Sequence, residues 1–281
     1  VDALAQEFIG KDLVLGNSLS KYSRMTGPYE SPSDLATYLV VVIPIVLYQA
    51  AQLRGWGRWM TGVLLATLVG CLIRTRTQGA WLGLVVGVAI LVALDRRYRN
   101  ALLLGTAAAI LGGGLILAWN GDLSSAVRIT DVGFRDRLVM WQAGWRMVQD
   151  HPILGHGVNT FMANYLDYWV GGERQPRYAH NCFLQTMAET GAIGLVTFGW
   201  VLGAMGWAWV QTVRAWEDSQ PARALVLGAM VGLVSFVVQS AFDTNFYSLR
   251  QAALFWTLAG VITGLVLKTA PLPHNTAQPR L

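Results

Sequence analysis

Charge is what this 281-residue chain is shortest of. Only 13% of its residues are Asp, Glu, Lys or Arg, against about 25% in an ordinary soluble domain. The shortfall is uneven, because long apolar runs alternate with short arginine-bearing breaks. That pattern excludes a simple soluble globule and indicates several membrane-spanning helices. Cysteine is scarce too: Cys71 and Cys182 are the two present, and their placement makes neither a disulfide framework nor a metal-binding spacing. No secretory leader opens the chain at Val1, so it reads as the C-terminal part of a larger helical bundle. The net charge of +5 does not indicate nucleic-acid binding, since most arginines flank apolar runs, where they set topology.

What is abundant is apolar. Hydrophobic residues make up 54% of the chain, with a mean hydropathy of +0.42. Twelve tryptophans and nine tyrosines suit a protein that crosses two membrane interfaces. Apolar runs fall near 35–53, 59–74, 79–94, 101–119, 183–210, 224–242 and 251–268. The expected fold is therefore an all-α integral membrane protein with about seven transmembrane helices, because only helices satisfy an open-ended backbone in lipid. Residues 1–34, containing TGPYESPSD, read as a polar loop. The breaks with Arg54 and Arg58, with Arg96, Arg97 and Arg99, with Arg214 and Arg223, and the end at Lys268 fall on one side, which the positive-inside rule makes cytoplasmic. Arg74 and Arg76 fall on the other. The expected organisation is an extracytoplasmic loop (1–34), four spans (35–119), an extracytoplasmic segment (120–182), three spans (183–268) and a cytoplasmic tail (269–281). Gly83/Gly87, Gly228/Gly232 and Gly260/Gly264 have the spacing of close helix packing.

Segment 120–182 is too long for a simple connection. Leu138, Trp141, Trp145 and Val148 recur at helical spacing, and Pro152 forces a stop. GHGVNTF makes a turn in which Asn159 is placed to cap a short helix carrying Phe161, Tyr165 and Trp169. The expectation is two amphipathic helices on the outer surface. The segment holds His151, His156 and His180, the arginines Arg128, Arg135, Arg137, Arg146, Arg174 and Arg177, and the carboxylates Asp131, Asp136, Asp150, Asp167 and Glu173. A guanidinium binds diphosphate through a planar fork that never loses its charge. Histidine titrates near neutrality and can take a proton from a hydroxyl. At a membrane surface these groups suit chemistry on a lipid-linked phosphate.

His180 and Asn181, then nine residues, then Gly191-x-x-Gly194 resemble the motif of the O-antigen ligase and polymerase superfamily of bacterial membrane glycosyltransferases. RLVMWQAGWRMVQDHPILGHGVNTF is similar to its Arg-Leu-x-x-Trp stretch leading to a His-Pro-x-x-Gly-x-Gly turn. RMTGPYESPSDLATYL is similar to its upstream Gly-x-x-x-x-Pro-x-x-x-Ala loop. The likeness covers most of residues 22–200. The chain departs from the pattern at Gln78, where the family often has an arginine that Arg76 or Arg74 would replace, and at Ser33, where asparagine is commoner.

The resemblance implies transfer of a glycan from an undecaprenyl-diphosphate carrier to an acceptor hydroxyl, at the periplasmic face of the bacterial inner membrane, with no cofactor and no metal. It implies His180 as general base and Arg137 as the diphosphate ligand. Arg135, Arg76, Arg24, Asn181, His156 and Glu189 are expected to contact substrate. Lipid A–core, a growing glycan and a protein hydroxyl remain open as acceptors, and a flippase or transporter of lipid-linked sugars is the alternative class. Plainer roles stand beside these. His180 can be an interfacial helix cap, Arg137 a surface residue paired with Asp136 or Asp150, and His156 a turn residue. Asp243 can sit at an interface, and Glu189 can be a buried partner for an arginine. His156, His180 and Cys182 have no metal-ligand spacing.

Overall fold

The structure, a computed structural model, describes residues 2–11, 13–16, 18, 24–94, 132–171, 177–217 and 221–269. The run at 101–119, the residues Arg96, Arg97, Arg99, Arg128, Asp131, Glu173 and Arg174, and the tail from 270 lie outside them. In chain order the helices are α1 (Asp2–Ile9), α2 (Pro32–Gln52), α3 (Trp56–Thr75), α4 (Gln78–Leu94), α5 (Val132–Asp150), α6 (Phe161–Asn164), α7 (Cys182–Ala215), α8 (Pro221–Gln239) and α9 (Leu249–Thr269). The described residues contain no strand ladder, only an isolated bridge between Lys11 and Ser18. The protein is an all-helical membrane protein. Five of its helices, α2, α3, α7, α8 and α9, are long and apolar enough to span a bilayer. Helix α4, at 17 residues, is shorter than the ~20 a span prefers, so the expected seven spans are not all established.

Helix α8 is the most enclosed of the spans, and glycine explains how. A Cβ on Gly228 would stand 2.8 Å from Ile45 Cα, and one on Gly232 would stand 2.5 Å from Val41 O. Helix α2 therefore lies directly against α8. On the other side a Cβ on Gly83 would stand 2.5 Å from Ser235 O, and one on Gly87 would stand 2.4 Å from Ser235 Oγ. Two of the three expected glycine pairs thus bring backbones together. The third does not, because nothing lies within 4 Å of a Cβ at Gly260 or Gly264. Polar groups tie the same contact: Gln239 donates to Thr37 Oγ1 at 2.7 Å, and Thr37 donates to Asn245 Oδ1 at 3.1 Å. The outward faces of α3 and α7 carry Trp56, Trp59, Val63, Val196, Trp200 and Trp207, all exposed, as lipid-facing residues should be.

The N-terminal segment is more ordered than a loop. Residues 2–9 are helical, and Gln6, fully buried, accepts from the Thr26 and Gly27 backbone and donates to Thr26 Oγ1. The GP turn is thereby folded back onto α1. A second core forms beside the bundle from Met140, Ala143, Met147, Val148, Phe161, Tyr165, Ala179 and Ala188. Burying Phe161 or Met147 there is worth roughly 1.5–3 kcal/mol each. Helix α5 is real, but its inward stripe is Met140, Ala143 and Met147 with Val148; of the expected stripe Val148 is buried, whereas Leu138 and Trp145 are exposed. The reason is Gly144, whose missing side chain admits Leu184 and Phe161 to within 3.2 Å of where a Cβ would stand. Thr160, not Asn159, is the residue before α6.

The glycine pairs set up a direct test. Gly83→Val and Gly232→Val overpack α8 and should each cost about 1–3 kcal/mol. Gly264→Val should leave the thermal midpoint in detergent unchanged.

Candidate functional site

His180 stands two residues before the start of α7 with φ +47°, in the left-handed region. A non-glycine residue there is uncommon and is held by its surroundings. The next residue, Asn181, caps the helix, its Oδ1 accepting from the Phe183 and Leu184 N–H groups at 3.1 and 3.0 Å. The first turn of α7 is then locked to the turn after α8. Cys182 N–H donates to Ser240 O at 2.8 Å, and Cys182 Sγ donates to Asp243 O at 3.2 Å. One helix N-terminus meets another's C-terminus, and each satisfies the other's unpaired groups.

That junction delivers a carboxylate to the imidazole. His180 Nδ1 lies 3.1 Å from Asp243 Oδ1, which also accepts from Thr244 N–H at 2.9 Å. Because the carboxylate can only accept, the Nδ1 proton is on the ring and Nε2 carries the lone pair of the neutral form. Asp243 is buried and His180 is one-third exposed at its side chain. Burial pushes the Asp243 carboxyl up, but the His180 hydrogen bond, the His180 and Arg137 charges and the Thr244 N–H together hold it below the usual carboxylate range.

The charge of Arg137, on α5, acts on this carboxylate. The ring of Trp141, one turn on, has its centroid 6.5 Å from that of Phe242, and residues four apart share a helix face. Arg137 therefore faces the turn that bears Asp243, whereas Arg135, two residues back, is exposed on a different face. The upstream loop arrives at the same turn. Arg24 donates to Thr75 O at 2.7 Å and to Thr77 Oγ1 at 3.1 Å, and Arg76 ends α3 in the left-handed conformation. Three residues later Gly79 lies so close to Phe242 that a Cβ would stand 3.0 Å from the Phe242 Cβ. So His180 pairs with Asp243, the Arg137 charge acts on the same carboxylate, and the α3–α4 turn that Arg24 binds packs against Phe242.

Glu189 and His156 belong to a different construction. Helix α7 is broken at Gly191 (φ +67°, ψ −170°), which orphans two carbonyls and two N–H groups. The His-Pro-x-x-Gly-x-Gly loop takes up all four. His156 N–H donates to Ala188 O at 3.0 Å and Gly157 N–H to Glu189 O at 2.8 Å. Ala192 N–H donates to Pro152 O at 2.8 Å and Ile193 N–H to Ile153 O at 3.4 Å. The two backbones approach so closely that a Cβ on Gly191 would stand 2.1 Å from Ile153 O, and one on Gly155 2.3 Å from the Glu189 carbonyl carbon. The Glu189 carboxylate, buried, accepts from Asn159 N–H at 2.9 Å, Phe161 N–H at 3.2 Å, Gln185 Nε2 at 3.1 Å and the Tyr247 hydroxyl at 3.0 Å. Its described partners include no arginine. It caps the N-terminus of α6 from outside the sequence of that helix. Burial holds the Tyr247 phenol well above its usual range, so the hydroxyl stays a donor. His156 Nε2 lies 3.1 Å from Met147 O, and its ring packs on His151 and Tyr168. Asp243 is the residue that sequence reasoning undervalued: 63 positions separate it from His180, and the only signal was a polar break after an apolar run.

Residues 62–199 match the family model described as O-antigen ligase, a stretch that holds the α3–α4 turn, α5, the loop, His180 and the break. The chain is 27% identical to the exopolysaccharide production protein ExoQ of Rhizobium meliloti over 231 residues, 75% of this chain and 52% of that one. It is 22% identical to the O-antigen ligase of Salmonella typhimurium over 219 residues, 73% of this chain and 51% of that one. The chain thus spans about half the length of the curated relatives it matches.

Two measurements check this geometry. Glu189→Gln turns one acceptor into a donor facing a backbone N–H, so it should cost about 1–3 kcal/mol of stability. Asp243 has a depressed folded pKa, so its contribution is present above the ordinary aspartate value of ~4 and is lost as pH falls through the lower one. Asp243→Asn should therefore flatten the acid limb of the stability–pH curve.

Proposed function

We propose that this chain, whose residues 62–199 match the family model described as O-antigen ligase, is part of a membrane glycosyltransferase of that family. It moves a glycan from an undecaprenyl-diphosphate carrier to an acceptor hydroxyl at the outer face of the bacterial inner membrane. The observation that carries the reading is the His180–Asp243 pair, 3.1 Å apart, with the Arg137 charge acting on the same carboxylate.

The chemistry follows from the arrangement. Asp243 fixes the ring so that His180 Nε2 is the basic nitrogen, and it stabilises the imidazolium once the proton arrives. Nε2 takes the proton of the acceptor hydroxyl while that oxygen attacks the anomeric carbon. The bond from that carbon to the diphosphate oxygen breaks, and the carrier diphosphate leaves with the electron pair. Arg137 answers the charge that develops on it, with Arg24 and Arg76 at the neighbouring turn. Fixed cations at a departing diphosphate act without reorganisation cost. General-base help contributes typically 10²–10⁴-fold, roughly 3–5 kcal/mol.

The likeness to an exopolysaccharide production protein supports a growing glycan as acceptor, and that to an O-antigen ligase supports a ligase reaction. The transport reading is less well supported. A cavity of about 350 Å³ between α7, α8 and α9 is lined by Leu202, Met205, Trp209, Met230, Val234 and Phe255 among other apolar groups. A sugar path needs polar groups at that depth.

Glycan transfer by the full-length protein at matched membrane abundance is the test. His180→Gln should lower transfer at least 100-fold, with lipid-linked donor accumulating. Asp243→Asn should lower it at least about tenfold, since the ring loses its fixed tautomer. Arg137→Lys should not restore it, because a point charge lacks the planar fork. Wild-type transfer by His180→Gln would overturn the reading.

A further inference from the structure

The loop that mends α7 carries a second cluster of titratable side chains, outside the site around His180. Asp150 is the last residue of α5, His151 follows it, and His156 comes after four more residues. Each offers one ligand atom, and these atoms lie within 4.8 Å of one another. His151 Nε2 is 3.7 Å from Asp150 Oδ2. In a tetrahedral site with bonds of about 2.0–2.1 Å, ligand atoms stand roughly 3.3–3.5 Å apart. The Asp150 and His151 side chains are 55% and 56% exposed, free to close the difference.

Three further observations point to a cation. First, His156 Nε2 faces the Met147 carbonyl at 3.1 Å. A carbonyl only accepts, so the neutral ring carries its proton there and its lone pair on Nδ1. Metal-bound imidazoles are oriented in the same manner, the other ring nitrogen donating to a carbonyl or carboxylate. Second, the Tyr168 hydroxyl donates to Asp150 Oδ2, the kind of outer partner that steadies a ligating carboxylate. Third, the cluster sits at the C-terminal end of a 19-residue helix, where the helix dipole favours positive charge.

We propose that Asp150, His151 and His156 bind one divalent transition-metal ion of the zinc class. Two imidazoles and one carboxylate select such ions over Mg²⁺ or Ca²⁺, which prefer all-oxygen ligand sets. The exposed side leaves room for water as the remaining ligand. His151 and His156 bracket Pro152 and Ile153, whose carbonyls accept from Ala192 and Ile193 beyond the break, and His156 N–H itself donates to Ala188 O. A bound ion therefore clamps the loop that holds α7 together, and it takes no part in the reaction at His180.

The test is equilibrium dialysis of the full chain, carrying no polyhistidine tag, against Zn²⁺ in detergent, with bound metal counted by mass spectrometry. Wild type and His180→Gln should each bind one Zn²⁺, with a raised thermal midpoint that Mg²⁺ does not reproduce. His151→Gln and Asp150→Asn alter exposed side chains and should bind at least tenfold more weakly. Tyr168→Phe should weaken binding about tenfold. No stoichiometric Zn²⁺ in the wild type, unchanged binding in His151→Gln and Asp150→Asn, or loss of binding in His180→Gln would each overturn the proposal.

Discussion

A buried backbone must be hydrogen-bonded, and α7 is interrupted at Gly191 where its neighbours Ala188, Glu189 and Gly191 are all buried. Much of the site-bearing half of the molecule answers that one break. The four groups it orphans are met by residues 152, 153, 156 and 157, so the loop must run within van der Waals contact of the helix. Only glycine permits that approach at 155 and 191, where a side chain would overlap backbone atoms and where φ is positive. The Glu189 carboxylate then gathers Asn159, Phe161, Gln185 and Tyr247 around the same point. Gln185 braces Glu189 from within α7, while Asn159, Phe161 and Tyr247 tie the loop, α6 and the turn before α9 to it.

The break also separates two jobs within one helix. Beyond Gly191, α7 runs outward-facing with Val196, Trp200 and Trp207 exposed, as a lipid-contacting span does. Before it, the two turns from Cys182 to Thr190 belong to the interior of the protein, and their N-terminus is bound to the turn after α8. A continuous helix would couple the position of His180 to every tilt of the span. The spliced break lets the loop and the 240–247 turn fix His180 instead. This division explains why the polar apparatus sits at one end of the bundle while the glycine seams of α8 against α2 and α4 hold the apolar remainder.

Electrostatics at that end are arranged around Asp243. Alone, a buried carboxylate is costly. Here a histidine, a backbone N–H and an arginine charge offset the burial. The same arrangement leaves His180 with one nitrogen committed and the other basic. The Asp150–His151–His156 cluster lies instead at the far end of α5 from Arg137, on the loop that supports α7. The two polar centres thus share a scaffold without sharing residues.

The sequence alone determined the class of protein. Apolar runs with terminal arginines leave helices as the only economical structure, and His180, Asn181, Gly191 and Gly194 with the His-Pro turn marked the segment that carries the family likeness. Those signals are local, set by hydropathy and spacing within one segment. Tertiary structure decided what local signals cannot carry. Asp243 is joined to His180 across 63 residues by the meeting of two helix ends. Glu189 became a cap for α6 because the break placed it beside Asn159 and Phe161. Gly144 turned the inward stripe of α5 away from Leu138 and Trp145. Residues 2–9 became helical because Gln6 found partners on the Gly27 turn. In each case the partner is distant in the chain, and only packing chooses it.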